Sequence, residues 1–381
     1  MALILTFLGK GGTGRTTAAI AAAKRSAAEG KRVLLASQDP GPAFEMILGT
    51  ECGTKPTPIE ANLEAMQLQA TVLLEESWEE VKRQEARYLR SPFLKSVYGQ
   101  ELGVLPGMDS ALALNVLRQY EGEGYEAGRY DVIVYDGPGD QTTLRMLGMP
   151  EILSWYLRRF RSVFLESDVV KTLSPFLQPM AGAVLNVDWS GGSALNQPTE
   201  QVNGMLDEGR SAVADPRRVV AYLVTTDQPE AIATATYLWG SAQQIGLTVG
   251  GVILNPAIAL GQSSSQAAGA SEAAKANFAP LEIAALPARD GDWQPLMSAL
   301  PDVNQALSAP RPVSIDLAAR QVSLFLPGFS KKQVKLTQYG PEVTIEAGDQ
   351  RRNVALPPEL RGRAVSGAKF ADGYLIISFA A

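Results

Sequence analysis

The chain has 381 residues, 46% apolar and 19% charged, a length that suits two to three domains with sizeable cores. Its 34 Lys+Arg against 40 Asp+Glu leave a net charge of −6, which argues against the basic surface that broad nucleic-acid binding needs. With no histidine and Cys52 as the one cysteine, an intramolecular disulfide framework, a Cys/His zinc site within one chain and His-based acid/base catalysis are all excluded. No apolar run approaches the ~20 residues that span a bilayer, and no charged leader with a cleavage site opens the chain. A soluble, cytoplasmic protein is therefore expected.

The first predicted element is a strand over Ala2–Leu8, nearly all apolar, as a strand buried on both faces must be. It runs into Gly9-Lys10-Gly11-Gly12-Thr13-Gly14-Arg15-Thr16-Thr17, then an Ala-rich helix to about Glu29, then a second apolar strand from Val33 to Ala36. Strand, Gly-rich loop, helix, strand is the opening of a parallel α/β sheet. Such a loop turns successive backbone N–H groups inward at the positive end of a helix, forming an anion cradle. Gly9, Gly14 and Thr16 hold the positions of the pattern G-x-x-x-x-G-K-[ST], with Arg15 where lysine is usual. Guanidinium also binds phosphate, but as a bulkier fork. The plainer alternative is a glycine-rich turn that binds nothing.

Lys10 before Gly11-Gly12 makes the loop resemble the deviant Walker A group of P-loop NTPases, and within it the ArsA and tail-anchored-protein-targeting (GET/TRC-pathway) ATPases. The resemblance implies ATP and Mg²⁺ as cofactors, held by residues 9–17, with Lys10 reaching across a homodimer to the partner's phosphates. It further implies that Asp39, in the strand-end Leu34–Pro40 (LLASQDP), positions or deprotonates the attacking water. Leu105–Leu112 (LPGMDSAL) resembles another signature of these ATPases. Asp131–Asp136 (DVIVYD) reads as a central strand whose terminal carboxylate would organise Mg²⁺ with Thr16; Gly137-Pro138-Gly139-Asp140 then resembles switch II. By the same resemblance Glu230, Asn255 and Pro287 fall at nucleotide-contacting positions.

Glu151–Leu165 reads as an amphipathic helix, with Ile152, Leu153, Tyr156, Leu157, Phe160, Val163 and Phe164 at three- and four-residue spacing. Leu173, Phe176, Leu177 and Met180 continue the apolar theme. In the targeting ATPases the corresponding helices line a groove for hydrophobic protein clients; a helix packed face-down in its own core gives the same pattern. Leu63–Tyr98 also reads as helical, a lid or solvated face. The Cys-x-x-Cys zinc pair of fungal and animal relatives is replaced by the low-complexity stretch Gly261–Ala274, so no zinc site is expected. The Cys and His that ArsA uses for arsenite have no counterpart beyond Cys52.

After Ser308–Pro312, read as a linker, the chain alternates with period two through Val322, Leu324 and Leu326, Val343 and Ile345, and Leu375, Ile377 and Phe379. Leu326-Pro327-Gly328-Phe329 and Phe370–Ile377 resemble the α-crystallin domain of small heat-shock proteins. The expected fold is an α/β P-loop NTPase with a mostly parallel sheet flanked by helices over 1–307, with a helical subdomain within 60–120 and 146–215. A small all-β α-crystallin-like sandwich over 313–381 follows it. The expected function is an Mg-dependent ATPase, an ATP-driven open/closed homodimer that handles a hydrophobic protein client and meets a membrane only through a receptor or client. Two alternatives stay open: an ATPase energising an anion pump, and a nucleotide-gated binding module whose hydrolysis Arg15 weakens.

Overall fold

A computed structural model describes residues 1–88, 96–123, 128–166, 197–255, 275–339 and 342–380. In chain order these form β1 (Leu3–Leu8), α1 (Arg15–Ala28), β2 (Val33–Ser37), α2 (Ala43–Leu48), β3 (Thr57–Glu60), β4 (Leu63–Gln67), α3 (Ala70–Tyr88) and α4 (Met108–Arg118). Next come β5 (Val132–Asp136), α5 (Gln141–Glu166), α6 (Gln197–Ala214), β6 (Val219–Thr225), α7 (Pro229–Gln244), β7 (Thr248–Leu254), β8 (Ile283–Ala285) and α8 (Gln294–Ala299). The sheet order is β3-β4-β2-β5-β1-β6-β7-β8, parallel except for the β3–β4 pair. Central strands such as VIVYD and VVAYLVT are buried throughout, because helices cover both faces.

The strand period sorts the core into two layers. Ile4, Leu34, Ile133 and Tyr135 face the layer built with α3, α4, α5 and α7. Leu5, Phe7, Leu35 and Val134 face α1 and α2. Because β2, β5, β1, β6 and β7 are parallel neighbours, their carboxyl-end loops gather at one edge of the sheet, where ligands bind in such folds.

Two expectations about elements are corrected. The segment from Leu63 does not begin a helix: Leu63–Gln67 is β4, paired in parallel with β2 from Val33↔Leu63 to Ser37↔Gln67, and the helix begins at Ala70. Its residues favour helix intrinsically, but pairing with β2 and burial of Leu63, Ala65 and Met66 prevail. The helix expected from Glu151 instead starts at Gln141 and carries Pro150 in its interior. Proline there costs a backbone hydrogen bond, and α6 accommodates its ring by opposing it with Gly209, where a Cβ would come within 3.0 Å of Pro150 Cγ. Leu173, Phe176, Leu177, Met180 and Gly261–Ala274 lie outside the described residues, as do the side chains of Phe160, Val163 and Phe164.

The C-terminal part consists of β9 (Val313–Asp316), β10 (Gln321–Phe325), β11 (Val334–Tyr339), β12 (Glu342–Ala347), β13 (Gln350–Ala355), β14 (Val365–Ala371) and β15 (Tyr374–Phe379). They form two antiparallel sheets, β14-β15-β10-β9 and β11-β12-β13. The alternating residues Val322, Leu324, Val343, Ile345, Leu375 and Ile377 meet in one buried cluster between them, as facing sheets require. No helix among the described residues is long and apolar enough to cross a membrane.

Candidate functional site

The Gly9–Thr17 segment leaves β1 at the carboxyl edge and enters α1, whose N-cap is Gly14. Its shape is fixed from several sides. Gly9 N donates to Gly139 O at 2.8 Å, Thr13 Oγ1 to Lys10 O at 2.9 Å, and Ala18 N to Gly14 O at 2.9 Å. From the end of β7, Asn255 Nδ2 donates to Thr13 O at 3.0 Å, while Asn255 N is held by Thr225 O at 2.8 Å. The first N–H groups of a helix have no partner within it, which is the physical basis of anion binding at a helix start such as that of α1.

Arg15 projects from the first position of α1 into the loop that follows β5. Its Nη1 donates to Gly137 O at 3.1 Å and to Pro138 O. Gly139 makes this possible: its φ is 66°, and a Cβ there would collide with the guanidinium. Burial lowers the Arg15 pKa, opposed by the charges of Asp136 and Asp140. A guanidinium has five donors in a fixed fork, so it can hold the carbonyls of Gly137 and Pro138 while other N–H groups remain for an anion.

Asp136 ends β5 at 4% exposure. Its pKa is pushed up to about 6, chiefly by burial and also by the charge of Asp39. Hydrogen bonds from Thr16 and Ser37 and the charge of Arg15 pull the other way. Ser37 Oγ lies 3.4 Å from Asp136 Oδ2, because β2 and β5 pair with Ser37 opposite Asp136. Sequence reasoning misses Ser37: a hydroxyl two residues before Asp39 gains meaning only from that register. Asp39 itself is exposed, its Oδ1 accepting from Gly41 N at 2.8 Å. Its turn is tied to β4 by Gln67, whose Nε2 donates to Asp39 O and Gly41 O at 3.2 Å each.

The structure thus brings together Arg15, Thr16, Ser37, Asp39 and Asp136. Lys10 points outward, exposed and without a side-chain partner among the described residues. Glu230 is exposed in the first turn of α7, and Pro287 is exposed just beyond Leu286, whose N–H donates to Leu254 O at 2.8 Å. Neither is drawn into the Arg15–Asp136 cluster, whereas Asn255 is tied to the loop itself.

Comparison with known proteins places the chain in a family. Residues 2–278 match the family of anion-transporting ATPases, and residues 318–379 match the HSP20-like domain found in ArsA. The chain belongs to the ArsA-type ATPases. A protein named putative arsenical pump-driving ATPase from Prosthecochloris vibrioformis is 26% identical over 401 residues, covering 99% of this chain and 95% of that one. An ATPase ASNA1 homolog from Cryptosporidium parvum is 30% identical over 202 residues, covering 52% and 48%. ATPase GET3 from Lachancea thermotolerans is 29% identical over 194 residues, covering 48% and 53%. This ArsA-type protein binds nucleotide and hydrolyses ATP. Among its described residues no group of three or more Cys, Asp or Glu could hold a metal ion by itself.

Proposed function

We propose that this ATPase couples Mg²⁺-dependent hydrolysis to the handling of a hydrophobic protein client, working as a homodimer. The supporting observation is the continuity of α5. The helix starts at Gln141, directly after switch II, and further along exposes Ile152 and Tyr156, an i,i+4 apolar pair at 38% and 48% exposure. Movement at the nucleotide would be felt along the same continuous helix that presents the apolar surface. Elsewhere on α5, Leu147, Met149 and Leu153, with Met205 and Leu206 of α6, line an apolar cavity of about 100 Å³ between α4, α5 and α6. Flexible methionines suit a surface that adapts to varied apolar side chains.

In this reading residues 1–307 form the ATPase unit, 308–312 a linker and 313–381 the sandwich. The cradle from Gly9 to Thr17 binds the phosphates through backbone N–H groups and Arg15. Thr16 and Asp136 fit Mg²⁺: a carboxylate whose burial disfavours its charge gains from a cation, and the Thr16 hydroxyl adjoins it. When bound, the ion would neutralise charge on the phosphates. Asp39 orients water toward the terminal phosphate, and the exposed Lys10 is available to the nucleotide of a second copy. Asn255, Glu230 and Pro287 are assigned to the base and ribose side.

A second reading follows the names of full-length relatives, an ATPase driving an arsenical pump. The thiol chemistry is against it: Cys52 is the one cysteine, it is buried, and burial pushes its pKa up to about 11, so it is a poor thiolate ligand. The deciding experiment is the double variant Ile152→Asp/Tyr156→Asp. Client handling predicts a folded protein with wild-type ATP turnover that no longer keeps a tail-anchored membrane segment soluble. Undiminished solubilisation by that variant would remove the client reading.

A further inference from the structure

The β12–β13 hairpin of the sandwich is inserted between the two helices that flank the switch II side of the ATPase. Four consecutive residues of its turn each make a contact. Ala347 O accepts from Gln244 Nε2 of α7 at 2.8 Å, and Gly348 packs against the Tyr237 ring of α7 so closely that a Cβ would sit 2.7 Å from the hydroxyl. Asp349 N donates to that Tyr237 hydroxyl at 3.1 Å while its carboxylate pairs with Arg145 of α5. Gln350, 6% exposed, donates through Nε2 to Gln141 Oε1 at 2.6 Å. Gln141 in turn donates to Ser241 of α7 at 3.0 Å.

Gln141 is the first residue of α5 and the first after switch II. The loop Gly137–Asp140 is therefore held at both ends. On the nucleotide side, Arg15 grips the carbonyls of Gly137 and Pro138 and Gly9 N grips Gly139 O. On the far side, the hairpin fixes Gln141. Further along α5, Trp155 Nε1 donates to Glu342 Oε2 at 3.0 Å, and Arg158 lies 3.6 Å from the same carboxylate. The seam is also close-packed around α7, where a Cβ on Gly240 would collide with Pro327 O and the Phe329 ring. On the buried side of α7, Ser241 and Gln244, at 1% exposure or less, meet Gln141 and Ala347 at this seam, as buried polar groups require.

We propose that Gln350 is a positioning residue for ATP hydrolysis: through Gln141 the sandwich holds the start of α5, and hence switch II, in the geometry Arg15 requires. The sandwich is in this sense part of the catalytic scaffold. A group held 1 Å out of place can cost far more in rate than in binding, so turnover should respond while nucleotide affinity does not.

The inference rests on the chain's ATPase activity, and wild-type turnover in the same assay reports on that separately. The measurement is kcat and KM for Mg-ATP in the full chain carrying Gln350→Leu, Gln141→Leu, both, or Gln350→Glu. Glu346→Ala, whose partner Arg351 lies within the same hairpin on the exposed side, is the control and should match wild type. Gln350→Leu should lower kcat about fivefold, the scale of one buried hydrogen bond, with KM within twofold. The double variant should be no slower than Gln141→Leu alone, because both interrupt one link. Gln350→Glu, which can accept from a reoriented Gln141 amide, should recover most of the rate. Should Gln350→Leu fail to fold, Gln350→Asn, one methylene too short to reach Gln141, takes its place with the same expectation. Unchanged kcat in a folded Gln350 variant, or additive losses in the double variant, would overturn the proposal.

Discussion

Asp136 carries a conflict that its neighbours only partly relieve. Burial pushes its pKa from 3.8 up to about 6 despite hydrogen bonds from Thr16 and Ser37 and the charge of Arg15. With the folded value above the unfolded one, the group's contribution to stability is fully present below about pH 3.8. It is lost as pH rises through about 6. The difference is about 3 kcal/mol, at roughly 1.4 kcal/mol for each pH interval of one between the two values. In chelator, Asp136→Asn should therefore be more stable than wild type at about pH 7.5 by up to that amount, the two converging near pH 4. Urea unfolding at both pH values checks it, and an Asn variant no more stable at the higher pH would mean that the carboxylate is better solvated than its burial implies. At this scale much of the cluster is legible from spacing alone. The glycine pattern places Thr16, and the strand-end rule places Asp136. Ser37 and the Arg15–Gly137 link are not legible, because both depend on β2, β5 and the P-loop being spatial neighbours, which local sequence does not state.

Among the elements, those with a clean period are read correctly and those whose neighbours overrule propensity are not. The mostly apolar β1, β2 and β5 declare themselves as buried parallel strands. Leu-Glu-Ala-Met-Gln, by contrast, consists of good helix formers and becomes β4 only because β2 offers an unpaired edge. The helix expected from Glu151 begins ten residues earlier, and α5 passes through Pro150 where Gly209 of α6 leaves room for the ring. Helix α7 shows a further consequence of context. Gln243 is 1% exposed, and neither polar atom of its side chain has a partner among the described residues. Its backbone carbonyl does the binding, accepting from Arg352 at 3.1 Å. Replacing it with an unbranched apolar side chain removes an unsatisfied amide and keeps that bond. Gln243→Met should raise stability by about 1–2 kcal/mol, read as a higher urea midpoint with unchanged slope. A lower midpoint would mean that the amide has a partner such as a buried water.

For the whole molecule, the two parts are joined by more than a chain connection. The C-terminal alternation predicts the sandwich, but its seat on α5 and α7 is written in scattered residues, Gln141, Arg145, Gln350 and Asp349, that no single motif collects. That seat makes α5 the common element of the nucleotide loop, the sandwich and the exposed pair Ile152 and Tyr156. An effector can shift such a system only by contacting its two states differently, and the coupling must then be reciprocal. The most direct measurement is the affinity of an apolar helical peptide, with the composition of a membrane anchor, for the Asp39→Asn protein with Mg-ATP and with Mg-ADP. Asp39→Asn is expected to bind ATP without turning it over, which fixes the nucleotide state during titration. Coupled client handling predicts affinities at least about tenfold apart, with the peptide shifting ATP affinity by the same factor and Ile152→Asp/Tyr156→Asp abolishing the difference. Equal peptide affinity in the ATP and ADP states would contradict it.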